Sequence, residues 1–321
     1  MSEIHYDVVI VGAGPAGLGA ALYCSRDRFK TLVIDKFTPG GQINTTDRIE
    51  NYPGTIKISG PDMVAEQIKQ CENFGTEFKN FCPANKITKR DDGKLVIETD
   101  EDTYIADVVF LTPGSAYRHL DVPGEETFRS AGAGVSYCGT CDAAFFKDKT
   151  VVAVGGGNVA VEDTIHLAKF AKKVYMIHRR DEFRAEKILV EELLEEAKKG
   201  VIEIVYDSVV TEIKGDGKCE AATVKNLKTN QSKDIACDGT FIFVGMIPNT
   251  DFLKGFVKMD DYGFIEVDTT YFRTSVPGVF ACGDCRQDAA MQLVTAIGDA
   301  VTAAVFMKEY LRDPLWWNKK V

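Results

Sequence analysis

The chain runs twice through one pattern: strand, glycine turn, helix, strand. Asp7-Val8-Val9-Ile10-Val11 is a short β-branched run that reads as a buried strand. Gly12-Ala13-Gly14-Pro15-Ala16-Gly17 follows, then a helical pattern to about Arg28, then the strand Thr31–Ile34 ending at Asp35. The pattern restarts with the strand Thr150–Val154, the turn Gly155-Gly156-Gly157-Asn158-Val159-Ala160, a helix from Val159 to Phe170 and the strand Lys173–Ile177. Each copy is a β–α–β unit, so the repeat predicts an α/β protein with two Rossmann-like nucleotide-binding domains.

Other segments fill in around these units. A helix is predicted from Pro61 to Phe74, with Pro61 in the first turn. Strands are predicted over Lys94–Thr99, Tyr104–Leu111, Val201–Val210, Cys219–Leu227 and Thr240–Val244, and an amphipathic helix over Ala185–Lys199. Candidate boundaries fall at Pro123-Gly124 and at Met246-Ile247-Pro248-Asn249. Beyond the second, Gly278–Asp284 and a helical run from Met291 to Leu311 return to complete the first domain.

The 321 residues are enough for two domains of ordinary size. A net charge of −10 argues against nucleic acid or an anionic membrane as partner. No apolar run reaches the length of a membrane span. Met1-Ser2-Glu3-Ile4-His5-Tyr6-Asp7 leads straight into a strand and does not read as a signal peptide. Nine scattered cysteines fit a reducing compartment with a few working thiols. A cytoplasmic location follows.

The glycines have distinct jobs. Gly12 permits the tight turn, Gly14 lets the backbone approach a pyrophosphate, and Gly17 allows close helix–strand packing. The helix N-terminus offers free N–H groups to the phosphates. Asp35, 23 residues after Gly12, can accept hydrogen bonds from both hydroxyls of an unmodified ribose. The second turn has Gly155, Gly157 and Ala160 in the same frame. Its position 23 residues on is His178, followed by Arg179 and Arg180, with Arg184 close by. Guanidinium groups bind a ribose 2′-phosphate that a carboxylate would repel. FAD at the first turn and NADPH at the second fit this division. The alternative is a solvated basic turn paired with Glu182 and Glu186.

Cys138-Gly139-Thr140-Cys141-Asp142 lies just ahead of the second turn. A two-residue gap lets two sulfurs form a small reversible disulfide. Asp142 is placed to carry a proton to or from a thiolate. Two inert core thiols, or half of a zinc site, are the alternatives. The zinc idea needs Cys282-Gly283-Asp284-Cys285 as its other half, a whole domain away. Cys282 and Cys285 read better as flanking a Gly-Asp turn whose Asp284 contacts a cofactor, with a second redox pair as a further option. No metal ligand is assigned.

These segments resemble the low-molecular-weight bacterial thioredoxin reductases over essentially the whole chain. The resemblance is carried by the Gly12 turn, Gly40-Gly41-Gln42, Glu50-Asn51-Tyr52-Pro53-Gly54, Cys138–Asp142, Gly155–Glu162, His178–Ala185 and Gly278–Asp284. It implies two Rossmann-like domains of the three-layer ββα type. The FAD domain is split in sequence, over 1–119 and 248–321, around an NADPH domain at 120–247. It implies a homodimer whose two domains rotate, so that nicotinamide and cysteines take turns at the flavin. Cys138 would attack the disulfide of the partner thioredoxin, Cys141 would face the flavin, and Asp142 would be the acid/base. Gly12, Gly14, Pro15, Ala16, Gly17, Asp35, Gly41, Gln42, Asn51, Gly114, Gly283, Asp284 and Gln292 would hold FAD. Gly155, Gly157, Asn158, Ala160, His178, Arg179, Arg180 and Arg184 would hold NADPH.

The chain departs from the family at Pro113, in place of a usual threonine, at Met291, in place of an arginine, and at Cys285, in place of an aliphatic residue. These changes bear on the flavin contacts. Some related flavoproteins take electrons from ferredoxin, and others serve a different redox protein. A metal-stapled nucleotide sensor without turnover is the remaining alternative. Trp316-Trp317 reads as a packing element.

Overall fold

The computed structural model describes residues 3–46 and 48–319. Met1, Ser2, Asp47, Lys320 and Val321 lie outside them, and with them the start of the N-terminal reading and the outer ends of the 1–119 and 248–321 segments.

The chain opens with β1 (Glu3–Val11), α1 (Pro15–Arg26), β2 (Thr31–Ile34), α2 (Gly60–Glu72), β3 (Glu77–Lys79), β4 (Lys86–Lys89), β5 (Leu95–Glu98), β6 (Thr103–Leu111) and β7 (Ser115–Tyr117). It continues with α3 (Glu125–Ser130), β8 (Val135–Ser136), α4 (Gly139–Asp142), β9 (Thr150–Gly155), α5 (Asn158–Leu167), β10 (Lys173–Ile177) and α6 (Lys187–Lys198). Then come β11 (Ile202–Val205), β12 (Ser208–Lys214), β13 (Ala221–Asn226), β14 (Ser232–Ala236), β15 (Gly239–Phe243) and β16 (Met246–Pro248). β17 (Val279–Ala281) and α7 (Leu293–Arg312) complete it. The chain divides into two compact units, one holding residues up to Ala116 and from Ile247 onward, the other Tyr117–Met246. Pro123 and Gly124 lie inside the second, at the start of α3.

The first unit is built on a sheet of order β3-β2-β1-β6-β5-β4. β3, β2, β1 and β6 run parallel, and β4 and β5 antiparallel. The long β6 pairs with β5 through its first half and with the late strand β17 through its second. That second pairing brings the C-terminal segment back into the first sheet. Alternation sets the layers: Val8 and Ile10 face a core with Leu18, Ala300 and Ala304 of α1 and α7, while Val9 and Val11 face Ile97, Leu253 and Ile265. Trp316 is buried beside Tyr271 and Phe306, and Arg273 donates to the carbonyls of Trp316 and Trp317 at 3.2 and 3.0 Å. The tryptophans are thus packing residues of this unit.

The second unit repeats the layering. Its parallel sheet has the order β11-β10-β9-β15-β8. Val151, Ala153 and Met176 face α5 and α6, and Val152, Val154 and Ile177 face the antiparallel sheet β12-β13-β14. The protein is therefore mixed α/β with a Rossmann-like unit at each glycine turn.

Four predicted elements differ in these ways. Val201–Val210 reads as one strand, but Asp207 has φ +50° and Leu227 N–H bonds to its carbonyl at 2.6 Å, so the chain turns there and β12 joins the other sheet. Arg28 (φ +69°) lies past the end of α1, and α5 stops at Leu167 short of Phe170. α2 starts at Gly60 because Ser59 caps it, its hydroxyl accepting Asp62 N–H at 3.2 Å, with Pro61 in the first turn.

Among the described residues no helix is long and apolar enough to cross a membrane.

Candidate functional site

In the first unit, the turn after β1 is set by steric need. Gly12 has φ +109°, and a Cβ there would lie 2.2 Å from the Thr112 carbonyl oxygen. A Cβ on Gly17 would lie 1.9 Å from the Gly12 oxygen. Gly14 differs: a Cβ there would meet no protein atom within 4 Å. Gly14 is also the N-cap of α1, which no side chain caps and whose first turn, starting at Pro15, holds no acidic residue. Open backbone beside free N–H groups fits a pyrophosphate. Asp35 closes the turn: its two carboxylate oxygens accept Ala13 N–H at 2.6 Å and Phe37 N–H at 2.7 Å. Burial raises its pKa, and the two backbone N–H groups oppose the rise.

Other residues assigned to FAD gather in the same unit. Gly40 N–H bonds to the Ala13 carbonyl at 2.8 Å, and a Cβ on Gly41 would stand 3.5 Å from Gly14 Cα. Gly283 faces Ala16, with 3.1 Å between a built Cβ and the Ala16 methyl. The Asn51 side-chain amide donates to the side-chain oxygen Oε1 of Gln292 at 3.5 Å across 241 residues of sequence. Gln42 donates to the Ser115 carbonyl at 2.9 Å, next to Gly114 at φ +65°. The Ser115 hydroxyl is buried with no hydrogen-bond partner among the described residues. Asp284 makes no hydrogen bond among them, and its pKa is pushed up to about 6 by burial and by Asp299, with Arg286 opposing. These two orphaned polar groups fit a ligand rich in donors and acceptors, as a flavin nucleotide is.

Cys282 and Cys285 are fully buried in this unit, and burial drives both thiol pKa values up, that of Cys285 to about 12. The Cys285 thiol donates to the carbonyls of Cys282 at 3.4 Å and Leu111 at 3.5 Å. Such thiols pack rather than react. No group of three or more His, Cys, Asp or Glu suited to a metal occurs among the described residues.

In the second unit, Gly155 abuts Ala160 and the Phe243 carbonyl, with a built Cβ 2.5 Å from each. Gly157 caps α5 and faces open space, like Gly14. His178 stands behind the turn, not in front of it. It is 4% exposed, and its ring nitrogens meet the carbonyls of Gly155 and Glu182, each at 2.8 Å. A Cβ on Gly156 would lie 2.1 Å from the His178 ring. This residue braces the turn and has no free nitrogen for a nucleotide. Asn158 bonds to Glu186 through both its side-chain atoms, at 2.9 and 3.1 Å, and so fixes the start of α6. Arg179, Arg180 and Arg184 are exposed, and Arg184 N–H bonds to the Gly156 carbonyl at 2.8 Å. Their guanidinium groups make no ion pair or hydrogen bond among the described residues, so the basic turn is not paired with Glu182 and Glu186. Free guanidinium groups beside an uncapped helix start fit a phosphorylated ribose.

Cys138 and Cys141 form a disulfide across α4, with Cα atoms 5.3 Å apart. They are thus neither inert thiols nor zinc ligands. Cys141 is exposed and Cys138 half-buried. Cys141 N–H lies 3.2 Å and the Thr140 hydroxyl 3.4 Å from Cys138 Sγ. Asp142 is held by Ser136, whose hydroxyl donates to its carboxylate at 2.6 Å and accepts Cys138 N–H at 3.1 Å. Burial raises the Asp142 pKa, and the Ser136 bond opposes it. Gly139 N–H bonds to Asp163 on α5 at 3.1 Å, and a Cβ on Gly139 would strike that carboxylate at 2.7 Å. Ser136 and Asp163 are the residues that sequence reading missed. No local motif marks either of them.

A family model for pyridine nucleotide-disulphide oxidoreductases matches residues 6–300. A thioredoxin reductase of Peptoclostridium acidaminophilum is 42% identical over 318 residues, covering 96% of this chain and 98% of that one. One of Bacillus subtilis strain 168 is 38% identical over 314 residues, covering 97% and 96%. The crystal structure of thioredoxin reductase from Streptococcus pyogenes MGAS5005 superposes with a TM-score of 0.89 at 42% identity, covering 97% and 99%.

Proposed function

This chain belongs to the pyridine nucleotide-disulphide oxidoreductase family, and on that footing we propose that it reduces the disulfide of thioredoxin with electrons from NADPH, carried by FAD. It is an oxidoreductase of the thioredoxin reductase kind, using flavin and nicotinamide cofactors. The observation that carries the reading is the Cys138–Cys141 disulfide, set in the same unit as the second glycine turn and tied to Asp142 through Ser136.

FAD is assigned to the first unit, on Gly12, Gly14, Gly17, Asp35, Gly41, Gln42, Asn51, Asp284 and Gln292. The carboxylate of Asp35 favours an unmodified ribose. NADPH is assigned to the second, on Gly155, Gly157 and the guanidinium groups of Arg179, Arg180 and Arg184. When bound, the flavin supplies a two-electron relay between nicotinamide and disulfide.

The residues of the chain do the thiol chemistry. Once the disulfide opens, Cys141 N–H and the Thr140 hydroxyl stabilise a thiolate at Cys138 Sγ. Cys138 then attacks the disulfide of thioredoxin to form a mixed disulfide, and Cys141 attacks Cys138 to release reduced thioredoxin. Asp142 moves the accompanying proton, and its raised pKa suits the task. Asp163 holds Gly139 so that both sulfurs keep their places. The family resemblance implies that the two units rotate, so that Cys141 and the nicotinamide would reach the flavin in turn. The reading includes a homodimer working in the cytoplasm, in line with the family resemblance and with seven free thiols.

The test is Cys138→Ser. The variant should still let NADPH bleach the flavin yet reduce no thioredoxin. Turnover of thioredoxin by this variant would refute the assignment.

A further inference from the structure

We propose that Cys219 and Cys237 are a second redox couple, a buried dithiol that a hydroperoxide converts to a disulfide. The two sulfurs lie 3.8 Å apart in the second unit. Both residues are buried, at 2% and 5% exposure, and carry free thiols. They meet just past the end of the β13–β14 ladder. β13 and β14 pair Ala221 with Ala236, and Cys237 N–H continues the ladder to the Glu220 carbonyl at 3.0 Å. That sets Glu220 opposite Cys237, and Cys219, one residue earlier, has left the ladder, its N–H turned to the Ala133 carbonyl and its sulfur against that of Cys237. A bonded pair needs about 2.05 Å, so side-chain rotation over a short distance closes the gap. Other buried cysteines face different groups: Cys24 the Met307 sulfur at 3.8 Å, and Cys71 the Leu18 carbonyl at 3.4 Å.

The pair is also differentiated. A hydrogen bond from the Cys237 thiol lowers the pKa of Cys219, while the same bond and burial raise that of Cys237. Cys219 is then the attacking thiolate. It attacks one peroxide oxygen, the O–O bond breaks, and Cys219 becomes a sulfenic acid with release of one water or alcohol. Cys237 sulfur attacks the sulfenic sulfur, the S–O bond breaks, and a second water leaves with the Cys237 proton. The two thiols lose two electrons and the peroxide gains them.

The couple sits against the segment that leads to the active disulfide. Cys219 N–H bonds to the Ala133 carbonyl at 2.7 Å, and a Cβ on Gly134 would press on Cys219 Cβ at 2.7 Å. Gly134 directly precedes β8, which carries Ser136. Its disulfide spans 18 residues, so it should also raise the melting temperature of the oxidised protein by several degrees.

The test uses the wild-type holoprotein, reduced with a phosphine, freed of it and exposed to hydrogen peroxide. The protein is then unfolded in an alkylating agent and mapped by peptide mass. The expected result is a cross-linked peptide joining Cys219 to Cys237, lost on treatment with dithiothreitol. The Cys138–Cys141 link and oxidation of the half-buried Cys82 report that the oxidant acted. In Cys237→Ser the cross-link disappears and dimedone traps Cys219 as a sulfenic acid, without the rise in melting temperature. Full alkylation of both thiols while Cys82 is oxidised, or a link from Cys219 to any other cysteine, overturns the proposal. The wild-type map decides even if the variant does not fold.

Discussion

The Ser136 hydroxyl donates a 2.6 Å hydrogen bond to a carboxylate oxygen of Asp142. This bond favours the ionised carboxyl and offsets part of the rise that burial imposes. Ser136→Ala should therefore raise the Asp142 pKa further. The limb of the pH profile that Asp142 governs, read as kcat/KM for thioredoxin, should move to higher pH. In Asp142→Asn that limb should vanish and turnover should fall about 100-fold or more, with flavin reduction by NADPH unchanged. An unmoved profile in both variants would remove Asp142 from proton transfer.

The three guanidinium groups of the second unit should carry nucleotide selectivity. Each charged hydrogen bond to a phosphate contributes about 1.5–3 kcal/mol, or roughly 10- to 100-fold. Arg179→Ala, Arg180→Ala and Arg184→Ala should raise KM for NADPH with little effect on that for NADH. Steady-state kinetics with both nucleotides checks this. Equal losses for the two would place the arginines away from the 2′-phosphate.

Gly14 and Gly17 separate cofactor binding from folding. A methyl at Gly17 strikes the Gly12 oxygen at 1.9 Å, so Gly17→Ala should unfold the turn and yield little soluble protein. A methyl at Gly14 meets no protein atom within 4 Å. Gly14→Ala should fold with stability changed by only about 0.5 kcal/mol, yet be pale, because the methyl occupies the space of the pyrophosphate. Circular dichroism and flavin absorbance together read the difference. A fully yellow Gly14→Ala protein would move the pyrophosphate elsewhere.

Asp284 makes flavin-free protein sensitive to pH. Its pKa in the fold is pushed up to about 6 from the ordinary 3.8, first by burial. Between those two values the folded chain thus holds a proton that the unfolded chain releases. The resulting stability is complete below the lower value and is lost as pH rises through the higher one. In flavin-free protein at about pH 7.5, Asp284→Asn should be more stable than wild type by on the order of 2–3 kcal/mol, and the gain should fade by about pH 4. Urea melts at the two pH values test this. A gain of the same size at both would assign it to something other than ionisation.

Legibility in the sequence followed the range of the interaction. Gly17 declares itself because its clash with the Gly12 oxygen lies inside one turn, and Asp35 because one helix and one strand separate it from Gly12. Arg179 and Arg180 follow the end of β10 and reach solvent, as their charge implies. His178 misleads because it adjoins them, yet it is the next residue after β10 and its ring lies under Gly156. Asp163 touches Gly139 from 24 residues away, on a helix whose first turn serves a different task. Cys219 and Cys237 meet where the chain leaves the β13–β14 ladder, which no spacing of cysteines reveals. Asp207 hides its turn within a run of β-formers, and only the left-handed tolerance of aspartate hints at it.

Anaerobic titration of the holoprotein, followed by flavin absorbance, tests the central claim most directly. The account predicts that NADPH bleaches the flavin, that NADH does so poorly, and that oxidised thioredoxin then restores the colour with Cys138 intact. A flavin that NADPH leaves yellow, or that only reduced ferredoxin bleaches, would contradict it. So would a flavin that stays bleached when oxidised thioredoxin is added.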